Sequence, residues 1–202
     1  DLGSGHLLAE KDMEIRGVGN LLGPEQHGHV SAVSLEVYTE LLAEEVAKLK
    51  GEEKAAARPA VSLDLNVDAR LTPAYLPNDD ERIAFYGRLA EAEGLAEVSR
   101  IARELRAARG PFPPEVKAFL ELVKLRLLAE GKGVAAISEH MTDVQVSFRA
   151  NFDELDYDPR KLRDLPFTAE ATRYPPGFSV KKRGLASADL PRSLQQLLYV
   201  VG

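Results

Sequence analysis

The clearest alternation in the chain is Val61-Ser-Leu-Asp-Leu-Asn-Val67, where every second residue is apolar, the period of a half-buried strand. Upstream, from about Ser34, the spacing is helical instead. Val37, Tyr38, Leu41, Leu42 and Leu49 recur at three and four, and Glu44 stands four before Lys48 as a favourable pair. Ser4 is placed to cap a shorter helix ahead of it, with Leu7 and Leu8 inward. Downstream of the strand, three helical stretches follow in succession. Asn78 and Glu81 stand at capping-box spacing before Ile83, Phe85, Tyr86 and Leu89, with Gly94 as the expected stop. Val98, Ile101 and Leu105 form the inward stripe of the second, which ends at Gly110-Pro111. The third opens on Pro113-Pro114 and carries Val116, Phe119, Leu120, Val123 and Leu127 to Gly131.

Period two then returns. Val134-Ala-Ala-Ile137 and Val144-Gln-Val-Ser-Phe148 predict strands, and Ala169 to Tyr174 and Phe178 to Lys182 predict a further pair around the turn Pro175-Pro176-Gly177. Asp158-Pro159 starts a short helix through Leu162 and Leu165, and Leu190, Leu194, Leu197, Leu198 and Val201 stripe a terminal one. Grouped helices and hairpin-linked strands predict an α+β domain over residues 60–202, with the helices packed on a small, largely antiparallel sheet. The Lys-, Glu- and Ala-rich stretch 51–59 reads as a linker, leaving residues 1–50 as a separate helical hairpin and loop.

A chain of 202 residues, 45% hydrophobic and 29% charged, is long and apolar enough to bury a real core. No apolar run approaches the roughly 20 residues of a membrane span, and the opening residues are no signal peptide, so a cytoplasmic protein without membrane contact is expected. Having no cysteine excludes disulfides and thiolate catalysis. A net charge of −6 argues against a protein that coats nucleic acid by itself, so any DNA contact should be local. The chain begins at Asp1 rather than methionine and runs almost at once into a motif, as a piece of a longer protein would.

That motif is Asp12-Met-Glu-Ile-Arg-Gly-Val-Gly-Asn-Leu-Leu-Gly-Pro-Glu-Gln-His-Gly-His29, which has neither helical nor strand periodicity. Gly17, Gly19 and Gly23 open backbone conformations closed to other residues. Arg16 and Gln26 stand at its two ends, where a folded-back loop could bring both to one partner. A guanidinium can clamp phosphate or carboxylate bidentately and an amide can both donate and accept, which suits an element that senses phosphate or a neighbouring motif. The glycine spacing misses the dinucleotide fingerprint, and no Gly-Lys-Ser or Gly-Lys-Thr phosphate loop occurs, so this chain alone should not hydrolyse ATP. His27-Gly-His29 with His6 and Asp12 could ligate a metal such as zinc, but loop histidines bonded to backbone or water are the preferred reading. Asp79-Asp80-Glu81 and Asp153-Glu154-Asp156-Asp158 stand at helix starts, where the helix dipole favours them and where they could also form an acidic docking surface. Lys181-Lys182-Arg183 could touch phosphate, though a solvated strand end explains it.

The glycine-rich segment closely resembles the TRG motif (translocation in RecG) shared by RecG-type branched-DNA translocases and the transcription-repair coupling factors. The likeness runs through Gly5-His6-Leu-Leu-Ala9, Asp12-Met-Glu-Ile-Arg-Gly17 and Leu21-Leu-Gly-Pro-Glu-Gln-His-Gly28, with His27 where serine is common in the motif. Residues Leu76 to Leu89, Leu105 to Pro113 and the helix to Leu128 are similar to the C-terminal domain of the coupling factors, which RecG lacks. The resemblance implies Arg16 and Gln26 as motion-coupling residues, with Glu14 beside them and Gly17, Gly19 and Gly23 shaping the loop. It further implies a parent helicase-type translocase that uses ATP and Mg on duplex DNA, displaces stalled RNA polymerase and recruits UvrA. Residues 60–202 would be its regulatory domain, packed on the parent's UvrB-like module so as to hide the UvrA-binding surface. By this reading the chain holds no catalytic residue, metal or cofactor of its own. The alternative is a stand-alone protein-interaction domain unrelated to a motor.

Overall fold

The computed structural model describes residues 61–201; the expected N-terminal hairpin, the glycine-rich loop and the linker 51–59 lie outside the described residues. The described part is an α+β unit with five α-helices and one five-stranded sheet. In chain order these are β1 (Ser62–Asp64), α1 (Asp79–Ala90), α2 (Leu95–Arg109), α3 (Pro114–Gly131), β2 (Val134–Glu139), β3 (Asp143–Phe148), α4 (Pro159–Arg163), β4 (Ala169–Arg173), β5 (Pro176–Lys181) and α5 (Leu190–Val200).

The strands lie in the order β1-β2-β3-β5-β4. The β2–β3, β3–β5 and β5–β4 pairs are antiparallel, whereas β1 pairs with β2 in parallel, Leu63 opposite Ile137. The sheet is therefore mixed, for a steric reason. Parallel neighbours need a long crossover, and here α1, α2 and α3 all lie between β1 and β2. The alternation seen in the sequence holds for burial beyond the hydrogen-bonded strand: Val61, Leu63, Leu65, Val67, Ala69 and Leu71 are all buried while only Ser62–Asp64 pair as strand.

Helix α3 is the hinge of the packing. Val116, Phe119, Leu120, Leu122, Val123, Leu125 and Ala129 are buried around more than one side of it, as in a helix enclosed by neighbours. The terminal helix lies against it, with Leu190, Leu194, Leu197 and Leu198 essentially inaccessible. Gln195, itself buried, donates from Nε2 to the Glu121 carbonyl and carboxylate, both at 2.9 Å, tying α5 to α3. Burial alone would raise the Glu121 pKa, but hydrogen bonds from Lys124 and Gln195 outweigh it and hold the carboxyl below its ordinary value. Its charged form therefore favours the fold at neutral pH, and that contribution disappears as pH falls below the ordinary 4.5 and through the lower folded value. Melting temperature should drop over this acidic window in the native chain and drop less steeply in Glu121→Gln; equal slopes would refute the assignment.

Four expectations need correction. Gly94 does not close α1, which ends at Ala90; it precedes α2 as the N-cap, extended at φ −165°. Ile83 and Phe85 are only half buried, because the inward stripe of α1 is Arg82, Tyr86 and Leu89. The β4–β5 turn lies at Tyr174-Pro175, with Pro176 and Gly177 already in β5. Leu165 falls beyond the end of α4. The α2 stripe, the β2–β3 hairpin and the terminal helix are as the pattern predicts, whereas only Ser62–Asp64 of the expected strand Val61–Val67 is paired, and on α3 Leu127 is half buried while Leu122 and Leu125 are buried. Among the described residues no helix is long and apolar enough to cross a membrane.

Candidate protein-interaction surface

Arg16, Gln26, Glu14, Gly17, Gly19 and Gly23 lie outside the described residues, as does the His27-Gly-His29 pair. Within them the candidates for partner contact are the acidic helix starts. At α1, Asn78 accepts from the Glu81 amide at 2.9 Å and caps the helix. Asp79 pairs with Arg82 and Glu81 with Arg109, so two of the three first-turn carboxylates are engaged within the chain. Asp80 is exposed with no such partner among the described residues.

The second cluster is similarly occupied. Asn151 and Glu154 form a capping box around the short turn Phe152–Glu154, and Asp158 accepts from the Arg160 amide at 2.8 Å at the head of α4. Asp153 is 3.5 Å from Arg173, whose guanidinium also lies 5.0 Å from the Phe152 ring centroid. Only Asp156 stays exposed without a partner among the described residues. No hydrogen bond or ion pair joins the two clusters among the described residues.

Arg82 was not legible as structural from its charge. It is 3% exposed, and its Nη1 donates to the Leu76 carbonyl at 2.6 Å and the Pro77 carbonyl at 3.3 Å, while Nη2 meets Asp79. The signal was the spacing Arg82, Tyr86, Leu89, which puts the arginine on the inward stripe. It fixes the bend from residues 76–78 into α1, and Tyr86 assists by accepting from the Leu71 amide at 2.9 Å. Arg82→Leu should destabilise the domain by about 3 kcal/mol, since it leaves buried carbonyls and Asp79 without their donor. Chemical denaturation checks this, and a loss under about 1 kcal/mol would refute it. By contrast the Arg88, Glu104, Arg100 and Glu97 network bridging α1 and α2 is half exposed and contributes little.

The chemistry on this surface is ion pairing and capping. No group of three or more His, Cys, Asp or Glu side chains able to hold a metal occurs among the described residues.

Residues 65–158 match the family model of the TRCF domain. The transcription-repair-coupling factor of Staphylococcus haemolyticus (strain JCSC1435) is 34% identical over 155 residues, 76% of this chain and 13% of that protein. That of Staphylococcus aureus (strain USA300) is 34% identical over 153 residues, 74% of this chain and again 13% of the relative. The chain belongs to the transcription-repair coupling factor family. It thus spans about an eighth of the length of these curated relatives. The fold agrees: a crystal structure of the C-terminal domain of transcription-repair coupling factor superposes with a TM-score of 0.58 at 16% identity, covering 70% of this chain and 89% of that one. Helix α1 with its Asn78 cap and buried Arg82, α2, α3 and the β2–β3 hairpin all fall inside the residues matched by the family model.

Proposed function

We propose that this chain serves as the C-terminal part of an ATP-dependent double-stranded DNA translocase that displaces stalled RNA polymerase and recruits UvrA for nucleotide excision repair in the cytoplasm. In this reading residues 60–202 are a regulatory domain that packs on the parent's UvrB-like module and masks the UvrA-binding surface. Residues 1–50 carry the TRG element, in which Arg16 and Gln26, with Glu14 and the loop glycines Gly17, Gly19 and Gly23, couple ATP-driven motion to movement along duplex DNA. ATP and Mg belong to the parent's motor lobes.

The observation that supports this most is the agreement between the TRCF family match at 65–158 and a fold like that of the C-terminal domain of transcription-repair coupling factor. A self-contained core is also what a domain needs if it is to be released from a masking contact without unfolding. Exposed Asp80 and Asp156 are the carboxylates left for a basic partner surface.

Two measurements on the parent protein test the two halves separately. Deleting residues 60–202 should strengthen UvrA binding about tenfold or more, the size of a typical coupling energy; unchanged affinity would remove the masking role. Arg16→Ala should leave ATP hydrolysis standing while translocation is lost. Loss of both activities, or of neither, would contradict a coupling role.

A further inference from the structure

Strand β4 ends the sheet, and among the described residues no strand pairs with its outer side. The Lys181 amide donates to the Thr168 carbonyl at 2.9 Å, and Ala169 lies opposite Val180. Hydrogen-bonded and non-bonded pairs alternate in an antiparallel ladder, so Glu170 and Thr172 turn their backbone groups toward β5. Ala169, Ala171 and Arg173 therefore turn theirs to the open edge.

At the head of that edge is an open groove of about 470 Å³ between α4 and the start of β4. Leu162, Leu165, Pro166 and Phe167 line it, and Arg163 and Arg183 stand on its rim. Both arginines are exposed, and neither has an ion pair or side-chain hydrogen bond among the described residues. Their neighbours differ: Lys182 lies 2.5 Å from Glu139, Lys181 3.7 Å from Glu170, and Arg173 is held by Asp153. Arg160 and Lys161 add positive charge one turn earlier, and Asp164 is the sole carboxylate in the sequence from 160 to 169.

We propose that this groove and the adjoining β4 edge receive an extended acidic segment of a partner protein. Its carboxylates would meet Arg163 and Arg183, an apolar side chain would lie against Phe167, and its backbone would pair with Ala169 and Ala171. Bidentate guanidinium–carboxylate contacts give the charge recognition, and strand addition gives the sequence-independent part of the affinity. Nucleic acid would be drawn to the same cations, but its phosphates leave the open strand edge without a counterpart. The proposal uses no carboxylate of the acidic clusters invoked for masking, although Asp158 caps α4 and Asp153 meets Arg173 at the far end of β4.

The test is amide chemical-shift mapping on the full chain, titrated with a synthetic peptide of alternating glutamate and leucine. Thr168, Ala169 and Ala171 should shift, and the double variant Arg163→Glu/Arg183→Glu should bind about tenfold more weakly or worse. Lys117→Glu, an exposed charge reversal on α3, should leave affinity unchanged. The proposal is overturned if the β4 amides do not move, if a glutamine-for-glutamate peptide binds as well, or if Lys117→Glu weakens binding equally. A short DNA duplex that shifts the same amides while the peptide does not would assign the patch to nucleic acid instead. Thermal melts of both variants, expected to match the native chain because all three side chains are exposed, separate lost binding from lost folding.

Discussion

Replacing Gly177 with alanine is expected to be the most damaging single-methyl change in the domain, lowering stability by about 4 kcal/mol or preventing the sheet from forming. Gly177 lies in β5, the strand between β3 and β4, opposite Ser147 on one side and Thr172 on the other. A Cβ there would stand 1.9 Å from the Val146 carbonyl oxygen and 2.9 Å from its carbon. Those atoms are backbone in a paired strand, so relief requires the β3–β5 ladder to part, and no side-chain rotation can supply it. Gly94 offers the contrast: its Cβ would meet nothing within 4 Å, and its extended backbone is open to any residue. Gly94→Ala should therefore change stability by no more than about 1 kcal/mol. Urea denaturation of the two variants side by side decides the matter, and equal losses would refute the close-approach explanation.

The second large effect is expected one residue on. Phe178 is fully buried, with its ring edge-on to Phe148 at 5.9 Å and to Tyr157 at 5.2 Å between centroids. It thus joins the core face of the sheet to the segment before α4, where Tyr157 also forms an isolated bridge to Val201 at the end of α5. Phe178→Ala should cost about 4 kcal/mol through lost burial and an unfilled cavity, while Phe178→Leu should cost less than half of that. A loss under about 1 kcal/mol for the alanine variant would show that the neighbouring rings close the gap.

These sites also mark where the sequence was legible and where it was not. Period-two runs such as Val61 to Val67 and Val144 to Phe148 announced strands because one face of each is buried and the other is not. The α2 stripe of Val98, Ile101 and Leu105 was equally plain. Strand direction was not readable: nothing within Ser62–Asp64 says that it runs parallel to β2, since direction follows from three helices crossing over between them. Gly94 was misplaced because a glycine between two helices serves equally as a stop for one or a cap for the next. Gly177 resembled a turn glycine beside two prolines, and its positive φ of 155° with the closeness of Val146 across the ladder gives its actual reason.

For the candidate surface the limits are of another kind. Acidic residues at helix starts were visible, but their occupation was not, because Glu81 meets Arg109 and Asp153 meets Arg173 across distances in sequence that no local pattern spans. Arg82 lay concealed as an apparent surface charge until its stripe with Tyr86 and Leu89 placed it inside. Arg163 and Arg183 come together only through the pairing of β4 with β5. The family was legible throughout, from the run of residues 76–89 onward, and the match over 65–158 covers that stretch.

Calorimetric titration of residues 60–202 against the isolated UvrB-like module, repeated with UvrA as competitor, decides whether this segment masks the parent's UvrA-binding surface as proposed. Saturable binding that UvrA displaces is the predicted result, weakened by Asp80→Lys if the exposed carboxylate takes part. Absence of binding at high concentration, or binding that UvrA leaves untouched, would contradict the masking role and turn attention to a different partner.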